Sequence, residues 1–336
     1  MATIKDVAKH TGLSLATISK YLNGGNVRVD NRAAIDEAVR ALGYSVNRSA
    51  QSLKTNRTHI VGVVMPTLSI PFFGSMYSAL DRTFREAGYT TLVASYDFLR
   101  ELELEKIRMF VSNNVDGIVL IPECATADEL TALTAAQGRR VPTLLIDRTI
   151  ADFPCDNVVI DNLNATYSAV ELLINQGHKR IGLISGPLHI STGYERMIGY
   201  KRVQEDYGIH VDNELIRIGN YDFESGHRIF NEFLHMDDPP TALCSTNYDM
   251  TLGAILSAHE AGIVLGEDMG FVGFDAVQMS RVISPSLPVV EQPTDEMGRR
   301  AAELMLSRLS GVSEGYPQLL RLKSRLVVPD SGESFL

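Results

Sequence analysis

The sequence predicts two architectures in one chain: a small all-α head and an α/β body of two doubly wound parallel-sheet lobes. Three observations carry this expectation. After about residue 58, short apolar runs alternate with amphipathic stretches that end on glycine, the pattern of strand–helix repeats in parallel sheets. The first 58 residues lack that alternation and read as three short helices. Charge divides at the same place. Through Thr58, nine Lys and Arg stand against four Asp and Glu, a net +5, and the remainder carries −15 of the overall −10.

In the head, helices are expected over Ile4–His10, Leu15–Asn23 and about Asn31–Leu42. Thr3 with Asp6 three residues on forms a capping box, Gly12 in "HTGLS" makes a tight turn, and Ser14 is a good N-cap. Val7, Ala8, Leu13, Ile18 and Leu22 supply a minimal core. Two helices joined by a short Gly-containing turn form a helix-turn-helix. With Ile18 and Leu22 inward, the second helix presents Leu15, Ala16, Ser19 and Lys20. The second helix of such a motif lies in the major groove. There Lys20 can donate to guanine O6 or N7, and Leu15 and Ala16 can make apolar contact, for example with a thymine methyl. On this segment alone, a merely structural helix is the competing reading.

The body begins with "HIVGVVMP", a nearly continuous apolar run expected of a strand covered on both faces. "SMYSALDRTFREAGY" follows, with Met76, Leu80, Phe84 and Ala87 on one helical stripe and Gly88 as a stop. Strand-like "TTLVASY", "DGIVLIP", "VPTLLID", "KRIGLIS", "LIRIGN", "TALCST" and "GFVGFD" then alternate with helical stretches. That is too many strands for one sheet, and a break near "NVVIDN" suggests two lobes. Ligands of open α/β sheets bind at the carboxyl ends of strands, so "MPTLSIPFF", "IDRT", "STNYD" and "GFDA" are the places to look.

Several function classes are disfavoured. No apolar run approaches the ~18 residues of a bilayer span, and Asp6 and Lys9 interrupt the stretch where a signal peptide needs apolar residues, so a cytoplasmic protein is expected. Cys124, Cys155 and Cys244 are odd in number and scattered, against a disulfide framework or thiolate metal site. "GHKRIGLI" lacks the Lys and hydroxyl residue of a phosphate loop, and no G-x-S-x-G, H-E-x-x-H or G-x-G-x-x-G occurs. No catalytic residue, metal or cofactor is expected, and an enzyme is not. The basic head on an acidic body points to a polyanion such as double-stranded DNA.

"TIKDVAKHTGLSLATISKYLNG" resembles the N-terminal motif of the lac repressor (LacI/GalR-type) family of bacterial transcription regulators. The likeness continues through "ALGYSVNRSAQSLKTNRTHIVGVV" and, in family order, through "VDGIVLIP", "GHKRIGLISGP", "ERMIGY" and "EQPTDEMGRRAAELM". The resemblance implies a ligand-responsive repressor of sugar or sugar-acid metabolism genes, binding a pseudo-palindromic operator as a homodimer. It divides the chain into a head (1–46), a hinge-helix linker (47–58), an N-terminal lobe (59–160 plus 290–321) and a C-terminal lobe (161–289 plus 322–336). DNA contacts are implied for Thr3, Ser14, Leu15, Ala16, Thr17, Lys20, Asn23, Tyr44, Asn47, Arg48, Leu53 and Lys54. Leu53 matches the leucine that wedges into the minor groove. A departure lies beside it, Val46 replacing the usual Pro before Asn47.

The body resembles the periplasmic sugar-binding proteins, with three crossings between lobes, near 160–163, 289–293 and 321–324. By that likeness Phe72, Phe73, Asp147, Arg148, Arg196, Tyr221, Asn247, Asp275 and Gln292 face an effector: a sugar, sugar acid or sugar phosphate. Tyr221 matches an aromatic that stacks on a sugar ring. Ile70, Tyr248 and Pro329 depart from the family's Asn, Asp and Arg. The tail "VVPDSGESFL" has no heptad run, which argues against a C-terminal coiled coil. A cytoplasmic sugar-binding protein without a DNA role is the alternative.

Overall fold

The computed structural model describes residues 2–22, 25–44, 57–136, 139–275, 277–329 and 334–335. They fall into two compact units, 1–58 and 59–336.

In the first unit, α1 (Ile4–Thr11), α2 (Leu15–Leu22) and α3 (Val29–Leu42) surround buried Val7, Ile18, Ile35 and Ala38. The Asp6 carboxylate accepts from the Thr3 backbone N–H and hydroxyl, both at 2.8 Å, tying down the start of α1. Gly12 ends α1 at φ 69°, in the left-handed region, and Ser14 Oγ accepts from the Thr17 N–H at 3.2 Å to begin α2. The third helix starts two residues before the expected Asn31. Asp30 in its first turn suits the positive end of the helix dipole, and Arg32 N–H already bonds to Arg28 C=O at 3.0 Å. Tyr21 Oη donates to Asp36 at 2.8 Å, linking α2 to α3.

The second unit holds two sheets. β1 (Ile60–Met65), α4 (Pro71–Glu86), β2 (Thr90–Ser95), α5 (Arg100–Ser112), β3 (Gly117–Leu120) and α6 (Ala127–Thr134) lead through a small hairpin, β4 (Ala135–Ala136) and β5 (Arg139–Arg140), to β6 (Thr143–Ile146) and β7 (Asp156–Ile160). The second lobe follows with α7 (Asn162–Asn175), β8 (Ile181–Ser185), α8 (Ser191–Asp206), β9 (Ile216–Ile218), α9 (Phe223–Leu234), β10 (Ala242–Ser245), α10 (Tyr248–Glu260), β11 (Gly270–Phe274), α11 (Val277–Val282) and β12 (Val289–Glu291). Then α12 (Thr294–Leu309) and β13 (Leu319–Leu322) return to the first lobe, and β14 (Arg325–Val327) and β15 (Ser334–Phe335) end in the second.

The first sheet runs β13-β7-β6-β3-β1-β2, parallel throughout. The second runs β15-β14-β12-β11-β10-β8-β9, and β14 and β15 add an antiparallel edge that the sequence pattern does not announce. Strand residues 61–65 and all of β3 and β8 are buried because helices cover both faces. The chain changes lobe between Ile160 and Asn162, between Glu291 and Thr294, and between Leu322 and Arg325. The last two changes fall slightly after the 289/290 and 321/322 boundaries. The reason is pairing: Val290 and Glu291 ladder with Leu326 and Arg325, and Leu322 ladders with Ile160.

Cys124, Cys155 and Cys244 are free, and burial pushes the Cys155 and Cys244 thiols up to about 12. No described helix is long and apolar enough to cross a membrane.

Candidate functional site

On the head, Leu15, Ala16 and Lys20 are exposed along α2 while Ile18 is fully buried. Three residues expected at DNA, Thr3, Ser14 and Thr17, have a local job as well. The Thr17 hydroxyl lies 2.9 Å from Ser14 Oγ, and the Thr3 hydroxyl donates to Asp6. Tyr44 is half-buried against the head core. Asn23, Asn47, Arg48, Leu53 and Lys54 lie outside the described residues.

In the body, all nine residues expected at the effector line one cleft, with a cavity volume of about 40 Å³. Each comes from the segment that follows a strand's carboxyl end. Phe72 and Phe73 sit in the first turn of α4 after β1, and Asp147 and Arg148 follow β6. Arg196 lies on α8 after β8, Tyr221 follows β9, Asn247 caps α10 after β10, Asp275 follows β11, and Gln292 follows β12. Asp147, Tyr221 and Asp275 have φ of 70°, 63° and 61°, a left-handed backbone that costs a non-glycine residue about 1 kcal/mol or more.

The polar side chains are cross-braced. Arg148, 4 % exposed, donates from Nη1 to Glu123 and to the Pro122 carbonyl, the latter at 3.2 Å, and its Nε stands 3.3 Å from Asp147. Among the described residues, that Nε has no aligned hydrogen-bond acceptor. Glu123 is set in turn by Glu103, a fully buried carboxylate on α5 that accepts the backbone N–H groups of Glu123, Cys124 and Ala125 at 2.9–3.1 Å. Burial still raises the Glu103 carboxyl above its ordinary value, against those three bonds. Arg196 donates from Nε to Asn162 at 2.9 Å and from Nη1 to the Thr246 carbonyl, with its guanidinium 4.7 Å from the Phe274 ring centre.

Gln292 Nε2 donates to both Asp275 oxygens, at 3.2 and 2.9 Å, and Gln292 Oε1 is buried without a partner among the described residues. An unmet buried acceptor costs about 1–3 kcal/mol, which a ligand hydroxyl would relieve. Burial pushes the Asp275 carboxyl up to about 6, with Arg196 and Gln292 pulling the other way, and it raises Asp147 against Arg148 and Arg196. Asn247 is already committed: its Oδ1 accepts from Met250 N–H and its Nδ2 donates to the Tyr221 carbonyl, both at 3.0 Å. Its first task is to hold Tyr221 and start α10. The Tyr221 ring lies against Gly186, where a Cβ would fall 2.0 Å from a ring carbon, and its hydroxyl meets Thr192 Oγ1 at 2.9 Å.

Four further residues line the cleft: Ile70, Phe98, Thr192 and Tyr248. Thr192 shares a face of α8 with Arg196, four residues on, and Phe98 follows the carboxyl end of β2, so both were within reach of helical spacing and the strand-end rule. Asp97 and Phe98 are consecutive left-handed residues, at φ 49° and 60°, a feature with no sequence signature here.

Residues 58–319 match the family described as periplasmic binding proteins and sugar binding domain of the LacI family, and residues 3–47 match bacterial regulatory proteins, lacI family. The HTH-type transcriptional repressor PurR of Proteus mirabilis (strain HI4320) is 32 % identical over 330 residues, covering 97 % of this chain and 96 % of that one. A transcriptional regulator CelR–cellobiose complex superposes with a TM-score of 0.73 at 27 % identity, covering 98 % and 99 %. The lac repressor bound to ONPG in its repressed state gives 0.84 at 25 % identity, covering 97 % and 98 %.

Proposed function

The chain belongs to the LacI family of bacterial regulatory proteins, and from that membership we propose that it is an operator-binding repressor controlled by a neutral polyhydroxylated effector, a sugar, held between the two lobes of its body. Its relatives are repressors rather than enzymes. The observation that carries the reading of the body is the convergence of nine strand-end side chains on one cleft. Carboxylates and guanidiniums there fix hydroxyls by charge-assisted hydrogen bonds, and Phe72, Phe73 and Tyr221 cover a C–H face.

Charge favours a neutral sugar over its acidic relatives. On the lining, the Asp147 and Asp275 carboxylates stand against the Arg148 and Arg196 guanidiniums, and both guanidiniums already have partners. The wall has no positive excess to offer a carboxylate or phosphate, so a neutral sugar fits better than a sugar acid or sugar phosphate. On the head, the exposed face of α2 supports major-groove contact by Lys20, Leu15 and Ala16. We read the active species as a cytoplasmic homodimer on a pseudo-palindromic operator, with the linker 47–58 passing the effector signal to the DNA.

The test is fluorescence anisotropy of the full chain on a fragment from upstream of its own gene, with neutral sugars, sugar acids and sugar phosphates added in turn. A neutral sugar that shifts operator affinity supports the proposal. Response only to an anionic ligand overturns the charge argument. Failure to bind any upstream duplex in low salt favours the alternative, a sugar-binding protein without a DNA role.

A further inference from the structure

Arg196 reaches the cleft from α8, and side chains outside the cleft hold it there. Its Nε donates to Asn162 Oδ1 at 2.9 Å and its Nη1 to the Thr246 carbonyl, while Nη2 has no hydrogen-bond partner among the described residues. An asparagine can serve Arg196 only with its oxygen turned that way, because the –NH₂ end is a donor like the guanidinium. What sets the turn lies on the far side of the amide. Asn162 Nδ2 donates to Glu195 Oε2 at 3.2 Å, and its bond to the Ile160 carbonyl is longer, at 3.4 Å. The reversed amide would set donor against donor at Arg196 and oxygen against carboxylate at Glu195. Asn162 is buried, out of reach of bulk water.

Glu195 precedes Arg196 on α8 and is held in turn from the first lobe. Arg321, on β13, donates to both of its oxygens, from Nη2 at 3.0 Å and from Nη1 at 3.3 Å. Such two-point pairing fixes the orientation of a carboxylate as well as its place. Arg196, Asn162, Glu195 and Arg321 thus form one continuous chain from the cleft to the surface. Asn162 opens α7 at the first change of lobe, and Arg321 stands one residue before the end of β13, where the third begins. The outer ion pair is partly exposed and adds little to stability by itself. Its consequence lies in what it orients.

We propose that Glu195 is a positioning residue for effector binding: it sets the Asn162 amide with its oxygen toward Arg196, and through Arg321 it fastens that arrangement to the first lobe. This rests on the reading of the cleft as the effector site and adds a residue outside the lining that controls affinity. Without the carboxylate the amide is free to turn its –NH₂ toward Arg196, and the guanidinium loses its aim.

The test exchanges the two groups. Glu195→Gln removes the carboxylate, and Asn162→Asp sets two carboxylates against each other. Made together, they restore the chain with roles reversed: the new amide donates to the new carboxylate, which still accepts from Arg196. In the full chain carrying isotopically labelled arginine, the Arg196 Nε–H resonance is assigned by its loss in Arg196→Lys. Its exchange with solvent should quicken by roughly tenfold or more in either single variant. In the double variant it should return to within about threefold of the unaltered chain. Calorimetry with glucose, galactose, ribose and cellobiose reads the consequence. The tightest binder among them should lose roughly fivefold or more of its affinity in each single variant and regain it in the double. Unchanged exchange in Glu195→Gln overturns the inference, as does a double variant no better than Glu195→Gln, a comparison that stands even where Asn162→Asp alone does not fold. Exchange that quickens while sugar affinity holds also overturns it. If none of the four sugars binds the unaltered chain, the neutral-sugar reading fails, and the exchange rates alone decide whether Glu195 aims Arg196.

Discussion

The guanidinium of Arg148, at the end of β6 in the first lobe, lies 5.8 Å from the centre of the Tyr221 ring in the second. Close by, Thr149 N–H donates across the same divide to Ser191 Oγ at 2.9 Å. Groups from both lobes therefore meet where the ligand is expected. A ligand that touches both prefers the arrangement in which they meet, and that preference is the free energy available for control.

Arg148→Lys tests this meeting point. Lysine keeps the charge but cannot fork between Glu123 and the Pro122 carbonyl while also holding a cation near the Tyr221 ring. Effector affinity should fall by roughly tenfold or more, equivalent to about 1.4 kcal/mol. Operator affinity without effector should stay within about twofold. Calorimetry and anisotropy on the same preparation read the two effects, and unchanged effector binding removes Arg148 from the site.

Gly186→Ala acts on Tyr221 from behind. The added methyl would sit 2.0 Å from the ring, so the ring must move and break its hydroxyl bond to Thr192. Overpacking of this kind costs about 1–3 kcal/mol of stability. The informative readout is effector affinity at a temperature where the variant remains folded, and a variant that binds normally shows that the position of Tyr221 is immaterial.

How much of this was legible in the sequence follows from where each signal resides. Alternating apolar runs placed most of the strands, the strand-end rule marked the stretches that hold Asp147, Asn247 and Asp275, and the resemblance to periplasmic sugar-binding proteins singled out those residues. Ser14 and Gly12 marked the start of α2 and the end of α1 because capping chemistry is local. The antiparallel pair β14 and β15 escaped, since two short strands at a chain end carry too few residues to show a period. Glu103 escaped because a charged residue on an amphipathic helix reads as solvated. Only the fold shows that it is buried under three backbone N–H groups. The left-handed backbone at Asp147, Tyr221 and Asp275 has no residue-type signature, as none is glycine.

Glu103→Gln should be costly although it lies outside the cleft. One acceptor becomes an N–H₂ group facing backbone donors that are already oriented toward it. A loss of about 1–3 kcal/mol is expected, read as a lower urea midpoint with an unchanged slope. Equal midpoints would mean that the loop 123–125 is held by something other than this carboxylate.

Lys20→Ala addresses the head. If Lys20 contacts the operator, its removal should weaken binding and, if the contact replaces counterions, lower the salt slope by about 1. Affinity for the effector should not move. A base contact also predicts relaxed preference at one operator position, worth ~1–3 kcal/mol. Loss spread equally over all sequences assigns Lys20 to the phosphates instead.

Asp275 makes effector binding depend on pH in a direction that can be worked out. Burial lifts its carboxyl to about 6, with Arg196 and Gln292 opposing the rise and Asp147 adding to it. A folded-state value above the ordinary 3.8 means that the folded protein holds this proton more tightly than the unfolded chain. The carboxyl's contribution to stability is therefore complete below the ordinary value and is lost as pH rises through about 6. Ligand binding has the opposite sign, because a sugar hydroxyl donates to the ionised form and binding must expel the proton when it is present. Between pH 7 and pH 5 the dissociation constant should rise by roughly tenfold, and Asp275→Asn should flatten the profile at weaker overall affinity. Titrations at half-unit intervals measure it, and tighter binding at pH 5 than at pH 7 would show that Asp275 acts as a donor to the ligand.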